Sequence, residues 1–165
     1  MIGDKMAQAL NDQIREELYS AYLYTAMSAN AKYTGMDGTA AWFAAQAREE
    51  VGHAGKIYGY LNTQGRQVVL QAIEQPPSEF ESVHSMFEGA LKHEQHITGC
   101  INKLVDLARE ENDHATGNFL QWFVNEQVEE EESVNDVLAK LDLAKGAVGA
   151  LFMIDRELGQ RGAAH

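Results

Sequence analysis

The amino-acid sequence predicts an all-α protein: a four-helix bundle of two antiparallel hairpins joined by one long crossover, with a short fifth helix at the C-terminus. Two observations predict this fold. Only two prolines occur in 165 residues, adjacent at Pro76 and Pro77, so long helices can run almost everywhere else. Glycine and other turn-forming residues then divide the chain into four long segments and one short one.

The first two segments form the first predicted hairpin. One helix runs from about Asp4 to Tyr33, and the next runs from about Thr39 to Gln64, where Gly65 ends it. The residues between them, 34–38, contain two glycines and are too few to do more than reverse the chain. The two helices are therefore expected to lie side by side and antiparallel.

The second hairpin is predicted by the same kind of signal. Ser82 is an expected N-cap for a third helix that reaches Glu111, and Asn112-Asp113 separates it from a fourth helix that ends at about Lys145. After Gly146, residues 147–160 carry enough apolar side chains for a fifth, shorter helix. The whole chain, 1–165, is expected to form one domain, with the bundle at about 4–145.

The connector between the hairpins, Arg66–Glu81, is long enough to cross the bundle. A helix of about 30 residues is ~45 Å long, at ~1.5 Å per residue. The sixteen connector residues could span ~53 Å if extended at ~3.3 Å each. The third helix can therefore begin at the far end of the bundle from Gln64.

Charge and cysteine content exclude several classes of function. The chain has 25 acidic and 13 basic residues, a formal net charge of -12, which repels nucleic acid and anionic membranes and attracts cations. Cys100 is the only cysteine, so an intramolecular disulfide or a Cys-x-x-Cys metal site is excluded. No apolar run has the length of a signal peptide or a membrane span. We expect a soluble cytoplasmic protein with metal ions as partners, and neither nucleic acid nor membrane.

Each long helix carries one stripe of residues, spaced by threes and fours, that should face the other helices. The stripes are apolar at their ends and polar near their middles. Six polar groups are therefore predicted to meet inside the core. They are Glu17, Glu50, His53, Glu94, Gln127 and Glu130.

Sequence spacing places these groups at one height in the bundle. Glu17 and His53 each lie 18 residues from the glycine at the centre of the first turn, so they should face each other. Glu94 and Gln127 are 33 residues apart, as are Glu17 and Glu50. The chain has the pattern of a duplicated hairpin.

Four buried carboxylates require compensation, because burying each ion costs several kcal/mol. No lysine or arginine occupies the stripes, and four carboxylates match the charge of two divalent cations. Glu50 and His53, one helical turn apart, offer an oxygen and a nitrogen ligand on one face. These donors suit iron or manganese, zinc also fits, and iron is the metal for which oxidation is a sensible reaction.

Simpler interpretations cover the remaining residues. A Glu-x-x-His motif by itself has little specificity, so the prediction rests on four stripes agreeing in spacing and height. Glu131 and Glu132 fit a solvated helix face. The histidines off the stripes are interpreted as structural or surface residues. They are His84, His93, His96, His114 and His165.

The motif Glu49-Glu50-x-x-His53, with Glu17, Tyr24, Glu94 and the stretch 125–130, resembles the prokaryotic non-haem ferritins. The resemblance covers nearly the whole chain. It implies two iron ions per subunit, with Glu50 bridging them, Gln127 beside them and Tyr24 as a hydrogen-bonding or electron-donating neighbour. The implied ligands are Glu17, Glu50 and His53 for the first iron, Glu50, Glu94 and Glu130 for the second, and Glu49, Glu126, Glu129 and Glu130 for a third, weaker position.

The resemblance also implies an activity and an assembly. The expected activity is that of a ferroxidase, which oxidises Fe(II) to Fe(III) with O2 or hydrogen peroxide and stores the product as a mineral. The expected assembly is a hollow shell of 24 subunits whose fifth helices line a four-fold axis. Haem is not expected, because Val51 stands where the related bacterioferritins have a haem-binding methionine.

Two other interpretations stay open at this point. One is a di-iron peroxidase or oxygenase of the rubrerythrin type, although the Cys-x-x-Cys module of rubrerythrins is missing from the sequence. The other is a structural bundle that binds no metal and only oligomerises.

Overall fold

The structure is a computed structural model in which residues 2–161 are described; His165 lies outside this range. Within it the chain folds into helices alone, as the sequence predicts. Each helix begins and ends within two residues of its predicted bounds. The helices are α1 (Asp4–Tyr33), α2 (Asp37–Thr63), α3 (Val83–Glu110), α4 (His114–Ala144) and α5 (Val148–Arg161).

Local signals end and begin the helices where the sequence places them. Gly35 adopts a left-handed conformation, φ +81°, in the α1–α2 turn, and Asn112 does so with φ 54° between α3 and α4. The Ser82 side chain accepts a hydrogen bond from the Ser85 backbone N–H and caps α3. Asp113 caps α4 in the same way. α1 packs against α2 and α3 against α4, so the two predicted hairpins are confirmed.

The long crossover follows α1 along most of its length. At one end, Asn11 donates to the Gln67 carbonyl oxygen (3.2 Å) and accepts from the Val69 backbone N–H (2.7 Å). At the other end, Asn30 donates to the Ser78 carbonyl oxygen (3.4 Å). The crossover therefore delivers the chain to the opposite end of the bundle, as its length predicts.

α5 docks on the first turn of α2. The Asp155 carboxylate accepts from the backbone N–H groups of Gly38 (3.0 Å) and Thr39 (2.7 Å) and from the Thr39 hydroxyl (2.7 Å). Gly38 is expected in the turn from the sequence, but it lies in the first turn of α2 in the structure. A Cβ atom at residue 38 would lie 1.6 Å from the Asp155 carbonyl oxygen. This glycine is needed for close helix packing rather than for ending a helix.

The apolar core is divided into two clusters by a polar layer at mid-height. One cluster includes Phe43 and Phe87, and the other includes Leu10, Ile57 and Phe123. The polar layer consists of the buried stripe residues Glu17, Glu50, His53, Glu94, Gln127 and Glu130. Within residues 2–161, no helix is both long enough and apolar enough to cross a membrane.

Candidate metal centre

All six polar residues of the predicted stripes are buried, and none is more than 5% exposed. They come from four different helices, α1 to α4, and lie in the layer between the two apolar clusters. The structure therefore brings together every residue that the stripe pattern selects. Their burial excludes the interpretation as a solvated helix face. The six are Glu17, Glu50, His53, Glu94, Gln127 and Glu130.

One group of donors joins α1 and α2. The His53 Nδ1 atom lies 3.1 Å from a Glu50 carboxylate oxygen and 3.9 Å from Glu17 Oε2. One ligand atom from each of the three residues lies within 4.8 Å of the others, a spread that a single metal ion can bridge. Two carboxylates and one imidazole thus face a common point.

A second group contains only carboxylates. Glu50, Glu94 and Glu130 each offer one oxygen, again all within 4.8 Å of one another. Glu50 belongs to both groups, so its two oxygens can serve two neighbouring cations. These two sets of three are the same sets that the family resemblance implies for two irons.

Burial and mutual repulsion raise the pKa values of these carboxyl groups. Loss of hydration, followed by the charge of Glu50, raises the pKa of Glu17 well above its ordinary range. Burial, followed by the charges of Glu94 and Glu130, does the same to the pKa of Glu50. Burial, followed by the charge of Glu94, raises the pKa of Glu130 to about 8. In the metal-free protein these groups therefore keep their protons to higher pH than ordinary glutamates do, and a bound cation would displace those protons.

One carboxylate oxygen of Glu17 has the environment expected of a metal ligand. Gln13 donates to Glu17 Oε1 (2.8 Å) and fixes that side chain. The other oxygen, Oε2, is buried and has no hydrogen-bond partner among residues 2–161. An unpaired carboxylate oxygen in a dry core is costly, and a metal ion at this point would satisfy it. Hard oxygen donors with one imidazole fit iron.

Two further predicted residues orient Glu94. The Tyr24 hydroxyl donates to Glu94 Oε1, and burial raises the pKa of Tyr24 well above its ordinary value, so the hydroxyl keeps its proton. Gln127 donates to Glu94 Oε2 (3.1 Å) and to the Glu94 carbonyl oxygen (3.3 Å). Both residues therefore hold the carboxylate in place.

Gln46 also belongs to the buried layer, although it is not among the residues predicted for the site. The structure buries Gln46 between two of the carboxylates, where its amide donates to Glu130 and, at 3.4 Å, to Glu50. A signal was present, because residue 46 lies on the α2 stripe one turn before Glu50. Gln13, four residues before Glu17, is a second such neighbour.

The residues predicted for a third iron position are only partly brought together. Glu126 Oε1 lies 3.6 Å from His53 Nε2, and these two residues form a further possible group with Glu130. Glu49 is instead ion-paired with Arg161 of α5 (3.0 Å), and Glu129 is exposed. The α5 contact therefore supplies a competing partner for Glu49 that the sequence pattern does not reveal.

The fold and the buried carboxylate–histidine cluster define a helical-bundle protein of the metal-binding type. Comparison with known proteins specifies the class. The profile of the ferritin-like domain matches residues 7–144. The chain is 41% identical over 159 residues to a probable bacterial non-heme ferritin-like protein of Haemophilus influenzae, with 96% of each chain covered. It is 39% identical over 158 residues to the bacterial non-heme ferritin of Escherichia coli, again with 96% of each covered.

Solved structures of ferritins are also similar to this chain. The open pore ferritin of the archaeon Archaeoglobus fulgidus superimposes with a TM-score of 0.95 at 44% sequence identity, covering 96% of this chain and 98% of that chain. A closed form of that ferritin, engineered by site-directed mutagenesis, matches with the same TM-score and identity, covering 97% of its own chain. The chain belongs to the ferritin family.

Proposed function

We propose that the protein is an iron-storage ferritin whose buried metal centre oxidises Fe(II) to Fe(III). The observation that supports this most strongly is the pair of donor groups sharing Glu50 in an otherwise apolar core. Four carboxylates neutralise two Fe(II) ions, and one imidazole adds a nitrogen ligand. Iron is here the substrate: it enters as Fe(II) and leaves as Fe(III).

The residues act by charge and geometry rather than by acid–base chemistry. Two Fe(II) ions held side by side provide two electrons and, with two protons, reduce O2 to hydrogen peroxide, or hydrogen peroxide to two water molecules. Anionic oxygen ligands stabilise Fe(III) over Fe(II) and so favour the oxidised product. Tyr24 and Gln127 keep Glu94 in position while the charge at the centre changes.

Storage requires an assembly, and the family provides the expectation for it. We propose a homo-oligomeric shell of 24 subunits that encloses a ferric mineral, with Glu126 on the path of iron away from His53. The lone cysteine and the acidic surface agree with a reducing cytoplasmic setting.

Anaerobic loading followed by rapid mixing with O2 tests the centre. Apoprotein with two Fe(II) per chain should oxidise iron much faster than buffer. Glu50→Ala should reduce the rate more than any other single change, because it removes a ligand from both groups. Glu132→Ala, an exposed glutamate on α4, is the control and should leave the rate unchanged.

The outcomes separate the candidate functions. If Glu50→Ala oxidised Fe(II) at the parent rate, the assignment of the centre would be wrong. A fast centre in a small oligomer that cannot keep iron in solution would instead favour a di-iron peroxidase or oxygenase. A protein that binds no Fe(II) at all would be a structural bundle.

A further inference from the structure

A second cluster of metal-ligating side chains lies on the surface between α1 and α3, outside the buried centre. Glu16, His96 and Cys100 each offer one donor atom, and the three atoms lie within 4.8 Å of one another. We propose that this triad is a mononuclear site for a zinc-like divalent cation. Neither the family relation nor the proposed iron chemistry requires it.

The arrangement follows from helix geometry. His96 and Cys100 are four residues apart on α3, so their side chains lie on one face one turn apart. α1 contributes Glu16 from the facing helix. Arg15 binds one oxygen of this carboxylate, with 2.6 Å between Arg15 Nη2 and Glu16 Oε1. The other oxygen, Oε2, is thereby left to face His96 at 2.9 Å.

The two separations are close to those of ligands on one ion. Ligands at about 2.0 and 2.3 Å from a tetrahedral zinc ion are ~3.5 Å apart. The observed distance from Cys100 Sγ to His96 Nε2 is 3.6 Å, and that from Glu16 Oε2 to the same nitrogen is 2.9 Å. A small rotation of His96, whose side chain is 56% exposed, would open the shorter distance.

A single histidine nitrogen has to satisfy two partners in the metal-free state. The Glu16 carboxylate can only accept a hydrogen bond, so it requires a proton on His96 Nε2. A Cys100 thiol that donates a hydrogen bond requires the same nitrogen to be unprotonated. With Nε2 protonated, the Glu16 carboxylate takes the stronger hydrogen bond and the Cys100 sulfur is left as a weak acceptor only. A cation that replaces the protons is coordinated by all three groups at once.

The donor types select a different metal from that of the buried centre. Thiolate and imidazole favour zinc and related ions, while the buried set is dominated by hard carboxylates. A groove of about 480 Å³ borders the triad, with Glu16 and Cys100 among its lining residues. A hydrated ion can therefore approach, and water can take the fourth coordination position that three protein ligands leave open.

Anaerobic titration of the metal-free protein with Co(II) tests the site. Cys100 is the only cysteine in the chain, so a thiolate-to-cobalt charge-transfer band can arise only there, even if cobalt also enters the buried centre. We expect the band to reach the intensity of one thiolate-bound Co(II) per chain, whatever further amount of cobalt the buried centre takes up. His96→Gln and Glu16→Gln should each weaken its binding by roughly tenfold or more, since losing even an indirect support of a metal ligand has effects of that size.

Controls make the result specific to the triad. Cys100→Ser should abolish the band, and His114→Gln, at an exposed histidine at the start of α4, should leave it intact. In parallel, Zn(II) should protect Cys100 from alkylation in the parent protein but not in His96→Gln. Absence of the band, or a band and a protection that survive both His96→Gln and Glu16→Gln, would overturn the proposal.

Discussion

The metal-free protein should lose stability as pH rises from 5 to 7, because Glu130 is buried without a cation. Its pKa rises from an ordinary value of 4.5 to about 8 on folding. At a pH between these two pKa values, the carboxyl group is more often protonated in the folded protein than in the unfolded chain. The stability that its proton contributes is complete below pH 4.5 and is lost as pH rises toward 8.

The size of the effect follows from linkage. Between pH 5 and pH 7 this single group lowers the free energy of unfolding by about 2.5 kcal/mol, with a slope approaching ~1.4 kcal/mol per pH unit. For a chain of this length that corresponds to a melting temperature lower by about 5–10 °C. Glu17 and Glu50, whose pKa values are also raised, add to the effect in the same direction.

Thermal melting of chelator-treated protein at pH 5 and pH 7 measures this loss, and two variants isolate its source. Glu130→Gln removes the titrating group and should flatten the dependence by the amount attributed to Glu130. Glu132→Gln changes the same charge at an exposed position of α4 and should keep the parent slope. Adding Mn(II) or Zn(II) at pH 7 should restore the melting temperature of the parent protein. If Glu130→Gln and Glu132→Gln lost equal stability between pH 5 and pH 7, the reasoning would be refuted.

Three further predictions concern hydrogen bonds and ion pairs of α1 and α2, the helices that carry Glu17, Glu50 and His53. Tyr24→Phe should lower the metal-free melting temperature by an amount equivalent to about 1–2 kcal/mol, because a buried carboxylate loses its hydroxyl donor; an unchanged melt would argue against that bond. Asp155→Ala should lower the free energy of unfolding by about 1–2 kcal/mol and speed amide exchange in the first turn of α2, because Asp155 caps that turn. As a control, Glu157→Ala removes one partner of an exposed ion pair and should lower the free energy of unfolding by at most about 0.5 kcal/mol. Arg161→Ala should free Glu49 and raise metal occupancy beside it in metal-soaked crystals; unchanged occupancy would count against Glu49 as a ligand.

The sequence predicts most of the fold because its signals are local and repeated. Two adjacent prolines, a few turn residues and the period of each stripe fix four helices, and the length of the connector fixes the topology. The buried carboxylates could be selected for the same reason, since a charged residue on an otherwise apolar stripe has to lie in the core with its apolar neighbours. Gln46 could not be selected in this way, because an amide carries no charge that demands a cation and, unlike Gln127, residue 46 does not lie 33 residues from one of the stripe carboxylates.

Contacts between distant segments could not be predicted in this way. Gly38 looks like a helix terminator in the sequence, and only the approach of α5 explains why a glycine is required inside α2. The pairing of Glu49 with Arg161 depends on where the end of α5 docks, which no periodicity encodes. The same limit applies to the surface triad, because nothing in the α1 stripe indicates that Glu16 faces His96.

The two hairpins differ in their residues at the metal centre. The first hairpin supplies Glu50 and His53, and the second has Gln127 and Glu130 at the corresponding positions, so only one donor group contains an imidazole. A second imidazole in place of Glu130 would remove one of four negative charges and leave two divalent cations with only three to balance them. The amide of Gln127 instead donates to Glu94 and orients it without adding charge. If the centre holds two Fe(II) ions, as proposed, this asymmetry keeps its charge matched to them. Oxidation to Fe(III) would then leave the centre with an excess of positive charge, which would favour release of the product.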